Sequence, residues 1–286
     1  MQIGNVTVDP VLDGEFAIDR AIPYPGVAAH RWRPYEHLLR DGTRIVNQLG
    51  GYLIRTGDRV VLIDLGFGPT QIPTWRSGEF LQSLKQLDVS PEDVTDVLFT
   101  HLHFDHIGWA AVNGQPVFAN ATHRCHERDW AYFTSPDYVD RAEMFGPAAG
   151  LSEFPAEMRT QAKLGAISHL VERWSGRMPL LPGLEVVECP GHTPGTTAIR
   201  LTEGGESVMF IGDIAHHQAE LVEPDWAFAA DMDPDQAQSS REELLPELAD
   251  HRPVIAGAHF QGFGMGRVVR SGSGFAWAPL ASAEGR

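Results

Sequence analysis

The run HLHFDHIG, residues 101 to 108, places three histidines and an aspartate within six positions, and VTDVLFT (94–100) in front of it reads as a short, mostly apolar strand. A strand that ends on such a run delivers its side chains to a loop whose base is held by the scaffold. Neutral imidazole nitrogen and ionised carboxylate oxygen are natural donors to zinc and similar ions. The chain is therefore expected to build a β-containing fold in which a strand end forms part of a metal site.

Three single residues stand in comparable settings further on: His192 in PGHTPG, Asp213 closing FIGD, and His259 closing AGAH. Each follows a β-rich or apolar run and lies beside glycine, as expected where strand ends bring side chains to a shared rim. Any one alone would read as a hydrogen-bonded core histidine or a turn-forming aspartate. Together with HLHFDH they make a constellation.

The surrounding pattern supplies the scaffold. IGNVTVDPVL, QLGGYLIRT and DRVVLIDLG are rich in β-branched residues and separated by glycine-containing turns, which predicts an opening antiparallel sheet. Phe80, Leu81, Leu84 and Leu87 recur at helical spacing. Strand patterns resume in LEVVECP, TAIRLT and SVMFIGD, a helix fits Pro234 to Ala249, and PVIAGAH supplies one more buried strand. Between about 123 and 180, Trp130, Tyr132, Phe133, Tyr138, Met144, Phe145, Phe154, Met158 and Trp174 lie among prolines and glycines and predict a helical insertion. Exposed aromatic surface usually has a partner, so this insertion is expected to be a lid or a homodimer contact. The whole chain, 1–286, reads as one domain of two packed sheets with helices outside; element order alone would equally suit a doubly wound α/β fold.

Composition removes several functional classes. With 38 acidic against 22 basic residues the formal net charge is −16, so a phosphate backbone would be repelled and nucleic acid is not an expected partner. The N-terminus MQIGNVTVDPVLDG has no basic region leading into an apolar stretch, and no run of about 18 apolar residues appears, which predicts a cytoplasmic protein without a membrane partner. Cys125 and Cys189, the only cysteines, read as buried thiols, with Cys189 also open to a role behind His192.

The series HLHFDH, His192, Asp213 and His259 resembles the metallo-β-lactamase superfamily over roughly residues 45 to 260. The resemblance implies an α+β fold, the αββα sandwich, with two mixed sheets packed face to face, helices outside and the site at one edge of the sheets. It implies two divalent ions, zinc first, with manganese, iron and cobalt admitted by the same donors. His101, His103 and His192 would hold one ion, Asp105, His106 and His259 the other, and Asp213 would bridge them. Two ions about 3.5–4 Å apart can share a water and present hydroxide to a carbonyl or phosphorus centre. Asp105, Asp213 and His216 are then the candidate catalytic residues. Asp64 in VLIDLG is expected behind the site, accepting from the second ring nitrogen of a ligand histidine.

Within the superfamily the layout resembles the quorum-quenching lactonases and the methyl-parathion-hydrolase-like phosphotriesterases, since the basic surface of the nucleases and the flavodoxin-like domain of the flavodiiron reductases are not seen. A lactone or carboxylic ester is the first expectation for a small-molecule substrate and an organophosphate triester the alternative; a non-hydrolytic iron-binding oxidoreductase or sensor is the third reading. His216 stands where many such lactonases have tyrosine, which resembles the phosphotriesterase-like branch; it reads equally as a proton donor or as a polar rim residue. Phe67, Phe104, Trp109, Phe260 and Phe263 neighbour the ligands and are expected to wall a mostly apolar pocket. His217 is expected at the surface, and His123 and His126 in helical surroundings, with a structural role preferred over a third metal site.

Overall fold

The β-branched opening folds into β1 (Gln2–Ile3), β2 (Val6–Asp19), β3 (Arg44–Thr56) and β4 (Arg59–Ile63). In this computed structural model residues 1–72, 74–140 and 155–280 are described, so Met144, Phe145 and Phe154 lie outside the described residues. The chain divides into two units, Met1–Phe16 with Gln48–Gly176 and Ala17–Asn47 with Arg177–Arg286.

In the first unit, β4 is followed by β5 (Trp75–Arg76), helix α1 (Phe80–Gln86), β6 (Asp96–Leu98), a β7–β8 hairpin (Ala111–Val112, Gln115–Pro116) and β9 (Thr122–His126). Helices α2 (Glu127–Phe133) and α3 (Thr160–Ile167) and strand β10 (Val171–Trp174) complete it. The sheet order is β1-β2-β3-β4-β6-β9-β10, with β5 on β2. It is mixed: β3 and β4 run antiparallel, whereas β4, β6, β9 and β10 are successively parallel. From Ile45 to Ile54 β3 is buried throughout, as a strand covered on both faces requires. Phe80, Leu84, Leu164 and Ile167 from the helices share one core with Leu53, Leu62, Val97 and Phe99 of the sheet region.

Within the stretch expected to be a helical insertion, the described residues carry two helices and, toward its ends, strands β9 and β10. Val171–Trp174 pairs in parallel with His123–His126, and a parallel pair needs a long connection, which here contains α2 and α3. His123 and His126 belong to β9, where three-residue spacing points side chains to opposite faces; the i, i+3 pairing of a helix is lost, and with it any shared ion.

The second unit carries β11 (Met178–Leu181), β12 (Leu184–Glu188), β13 (Thr197–Glu203), β14 (Glu206–Gly212), helix α4 (Pro234–His251), β15 (Val254–Gly257), β16 (Gly266–Ser271) and β17 (Gly274–Pro279), the strands joined in that order. Only β14 and β15 are parallel, and α4 makes their crossover. Asp233 caps α4 by accepting from the Gln236 amide, Pro234 starts it, and Arg252 at φ +51° ends it. Leu244, Leu245 and Leu248 of α4 pack with Met209, Ile211, Ile255 and Val268. Among the described residues no helix is long and apolar enough to cross a membrane.

Candidate metal centre

In the first unit the parallel strands β4 and β6 end side by side, and the chain leaves them at Asp64 and at Thr100–His106. The C-terminal ends of parallel strands are where open sheets gather ligand-binding side chains. Asp64 sits at φ +58°, a left-handed conformation that Asp tolerates better than most residues. Its carboxylate accepts from the Thr100 amide at 2.8 Å and the Thr100 hydroxyl at 2.7 Å, and faces His106 Nδ1 at 2.9 Å.

Backbone bonds join the loops that follow the two strands. Leu65 N–H donates to His106 O at 2.7 Å, Gly108 N–H to Gly66 O at 2.8 Å, and Trp109 N–H to Leu65 O at 3.1 Å. A Cβ on Gly108 would fall 2.0 Å from a Phe67 backbone carbon, so this approach requires glycine. Buried Asp13 accepts from the amides of Phe67, Gly68, Gly78 and Phe80 and from the Trp109 indole N–H. Burial nevertheless raises its pKa. Lys163 of α3 donates to the carbonyls of Gly108 (2.5 Å) and Ala111 (3.0 Å), and burial lowers its pKa to about 8.

On this base His101 Nε2 and His103 Nδ1 face each other at 3.0 Å, and the His101 and His106 rings are 4.0 Å apart between centroids. Ligand atoms of Asp105 and His106 lie within 4.8 Å of one another. His101, Asp105 and His106 are buried, and the edge of Phe133 closes on His103 at 5.4 Å.

The second unit repeats the device. Gly212 and Gly257 are register partners at the ends of β14 and β15, and Asp213 and His259 follow. His192 comes from the turn after β12, held by the Thr193 amide donating to Thr196 Oγ1 at 2.8 Å. Gly191, at φ +135°, lets this turn dock on α4: a Cβ there would lie 2.2 Å from the Ala237 nitrogen. Asp213 then presents its two oxygens to different histidines. Oδ1 is 3.2 Å from His259 Nε2, whereas Oδ2 is 3.3 Å from His192 Nε2 and 3.0 Å from His216 Nε2.

The donor set fits divalent cations. Asp64 on Nδ1 of His106 and Asp231 on Nδ1 of His192, the latter at 3.0 Å, favour the tautomer that leaves each Nε2 lone pair for a metal. A carboxylate with one oxygen toward each of two imidazoles is the arrangement a bridging ligand needs. His216 stacks on Phe228 with centroids 3.4 Å apart. Burial opposes its protonation, but the Asp213 and Glu220 carboxylates outweigh that and push its pKa up to about 10.

The expected pocket residues separate. Trp109 donates its indole N–H to Asp13 and packs in the main core of the first unit. Phe67 and Phe104 pack edge to face with Trp75 nearby in a small apolar cluster. Phe260 does line a cavity of about 190 Å³, together with His216, His259, Met265 and Trp277; Phe263 is buried at φ +52°. His217, expected at the surface, is 4% exposed, caps a short 3-10 turn through the Ala219 amide, and has its pKa lowered to about 4 by burial. Both cysteines are buried, as expected. Sequence reasoning missed Asp231, Glu220 and Arg241, which no motif marks.

Comparison with known proteins accords with this geometry. The family model described as metallo-beta-lactamase superfamily matches residues 51–259. The N-acyl homoserine lactonase AiiA of Bacillus thuringiensis subsp. kurstaki is 26% identical over 227 residues, covering 73% of this chain and 79% of that protein. Among solved structures, the dizinc quorum-quenching lactonase AidC, in complex with its product N-hexanoyl-L-homoserine, superposes with TM-score 0.84 at 25% identity, covering 98% of this chain and 96% of that one. A hydrolase of the beta-lactamase superfamily, AbOPH, superposes with TM-score 0.83 at 23% identity, covering 99% and 97%, and shows the shared fold.

Proposed function

This chain belongs to the metallo-β-lactamase superfamily of metal-dependent hydrolases, and we propose that it opens lactone rings at a pair of divalent ions, zinc first among them. His101, His103, His192 and Asp213 would supply donors to one ion and Asp105, His106 and His259 to the other, with Asp213 the candidate to serve both. The observation that carries this reading is Asp213, whose two oxygens address His192 and His259 separately. The lactonase relatives support the choice of substrate.

The bound ions would supply an acidified water and polarisation of the substrate carbonyl. The chain's own groups do the rest. Asp64 and Asp231 hold the ligand imidazoles in one tautomer and one orientation. Water adds to the lactone carbonyl and gives up one proton to solvent, the ring C–O bond breaks, and the released alkoxide takes a proton, for which His216, its Nε2 3.0 Å from Asp213, is the candidate donor. The cavity beside His216 and His259, with Leu38, Val46, Met265 and Trp277 in its wall, receives the apolar part of the substrate.

Initial rates of zinc-loaded protein against γ- and δ-lactones of differing acyl chain, a linear aryl ester, a thioester and a dialkyl aryl phosphate triester test this. Lactones should lead by orders of magnitude in kcat/KM. A leading triester would replace the substrate, a reading that His216 in place of tyrosine favours. No turnover of any member would sink the hydrolytic mechanism.

A further inference from the structure

Behind His192 and His216 lies a buried charge cluster. Asp231 gives one oxygen to His192 Nδ1 at 3.0 Å. Glu220 gives one oxygen to the backbone amides of His216 (2.9 Å) and His217 (3.0 Å) and to the Tyr24 hydroxyl. The second oxygens, Asp231 Oδ2 and Glu220 Oε2, are buried and make no direct hydrogen bond among the described residues. Both lie near one guanidinium, with Arg241 Nη1 3.7 Å from Asp231 Oδ2 and 3.8 Å from Glu220 Oε2, and His216 Nδ1 also faces Glu220 Oε2 at 3.9 Å. Arg241 is 1% exposed, and its guanidinium is fixed by donating to the carbonyls of Ile214, Pro224 and Trp226.

We propose that Arg241 is a positioning residue of the metal centre, holding in one fixed relation the carboxylate that orients His192 and the carboxylate that anchors the His216 backbone. Two buried carboxylates this close to one guanidinium would repel each other without it. Three carbonyls lock the planar fork, so the charge cannot follow one acid and leave the other. Burial would raise the Glu220 pKa, yet His216 and Arg241 hold it below the ordinary carboxylate range. Because Arg241 lies in α4, whose first turn also receives the Gly191 turn, one helix sets His192 from two sides.

This inference rests on His192 being a metal ligand, and its test separates the two. Long-range 15N–1H spectra of metal-free protein report the His192 tautomer, and zinc competition against a chelator reports affinity. Wild type should show His192 protonated at Nδ1. Arg241→Lys keeps a charge but loses the fork, and should give a mixed His192 tautomer and zinc binding weaker by on the order of 10- to 100-fold at one of two sites. Arg241→Met is expected to fold poorly; adding Asp231→Asn should restore the metal-free melting temperature but not the affinity. If Arg241→Lys keeps the wild-type tautomer and affinity, whatever its melting temperature, the positioning role is wrong. Wild type that binds no zinc would overturn the functional reading instead, leaving the tautomer to decide this one.

Discussion

Replacing Asp64 by Asn tests how the site selects a histidine tautomer. Asn keeps the size and tolerates the φ of +58° found at this position, so the backbone need not move. The carboxamide oxygen can still accept from the Thr100 amide, as Oδ1 does now at 2.8 Å. The amide NH2 then occupies the Oδ2 position, 2.7 Å from the Thr100 hydroxyl and 2.9 Å from His106 Nδ1. The hydroxyl can rotate and accept. His106 cannot do so without moving its proton to Nε2, the atom required by the metal.

The metal-free protein should therefore lose about 1–3 kcal/mol, the cost of one buried polar group left poorly matched. Zinc affinity should fall 10- to 100-fold, or about 1.4–2.8 kcal/mol. Thermal melts with and without zinc, alongside chelator competition, separate the two losses, and by linkage the loaded protein should lose the more stability. An Asp64→Asn protein that binds zinc as tightly as wild type would refute the tautomer argument.

Other perturbations have distinct signatures. Asp213→Ala should lose bound metal and several orders of magnitude in kcat while its metal-free melt stays cooperative; retained activity would refute a shared carboxylate. His216→Ala should cost on the order of 10²-fold in kcat if it delivers the proton, and no change would return it to the rim. His123 is buried with its pKa lowered to about 4, so the folded chain keeps it neutral while the unfolded chain protonates below about 6.5. Its contribution is full above pH 6.5 and is lost as pH falls toward 4, on the order of 3 kcal/mol; the gap between urea midpoints at pH 7 and 4.5 should narrow in His123→Phe, with buried His217 accounting for part of what remains, and an unchanged gap would contradict this.

Much of the first unit's metal loop was legible because its signal is local. HLHFDH follows an apolar strand, and the VLIDLG run places Asp64 at the end of the neighbouring one. His192, Asp213 and His259 were legible only as a set, each being ambiguous alone. The groups behind them were not: Asp231, Glu220 and Arg241 lie in loops and on a helix, and their meeting is tertiary, with no spacing to mark it. Adjacency to a ligand marked Trp109 in the sequence, but its bond to Asp13, ninety-six positions away, has no sequence signal. Short strands also escaped: β9 and β10 carry charged residues in THRCH and VERW, and their pairing, not their propensity, makes them strands. The β16–β17 hairpin went unread although its Ser-Gly-Ser-Gly turn separates two pairing segments.

The most direct test of the account is to titrate metal-free protein with zinc while following hydrolysis of an acylated γ-lactone. Activity should be absent without zinc and rise to a plateau at two equivalents per chain. Full activity without metal, or a plateau at one equivalent, would contradict a hydrolase built on two ions that share Asp213.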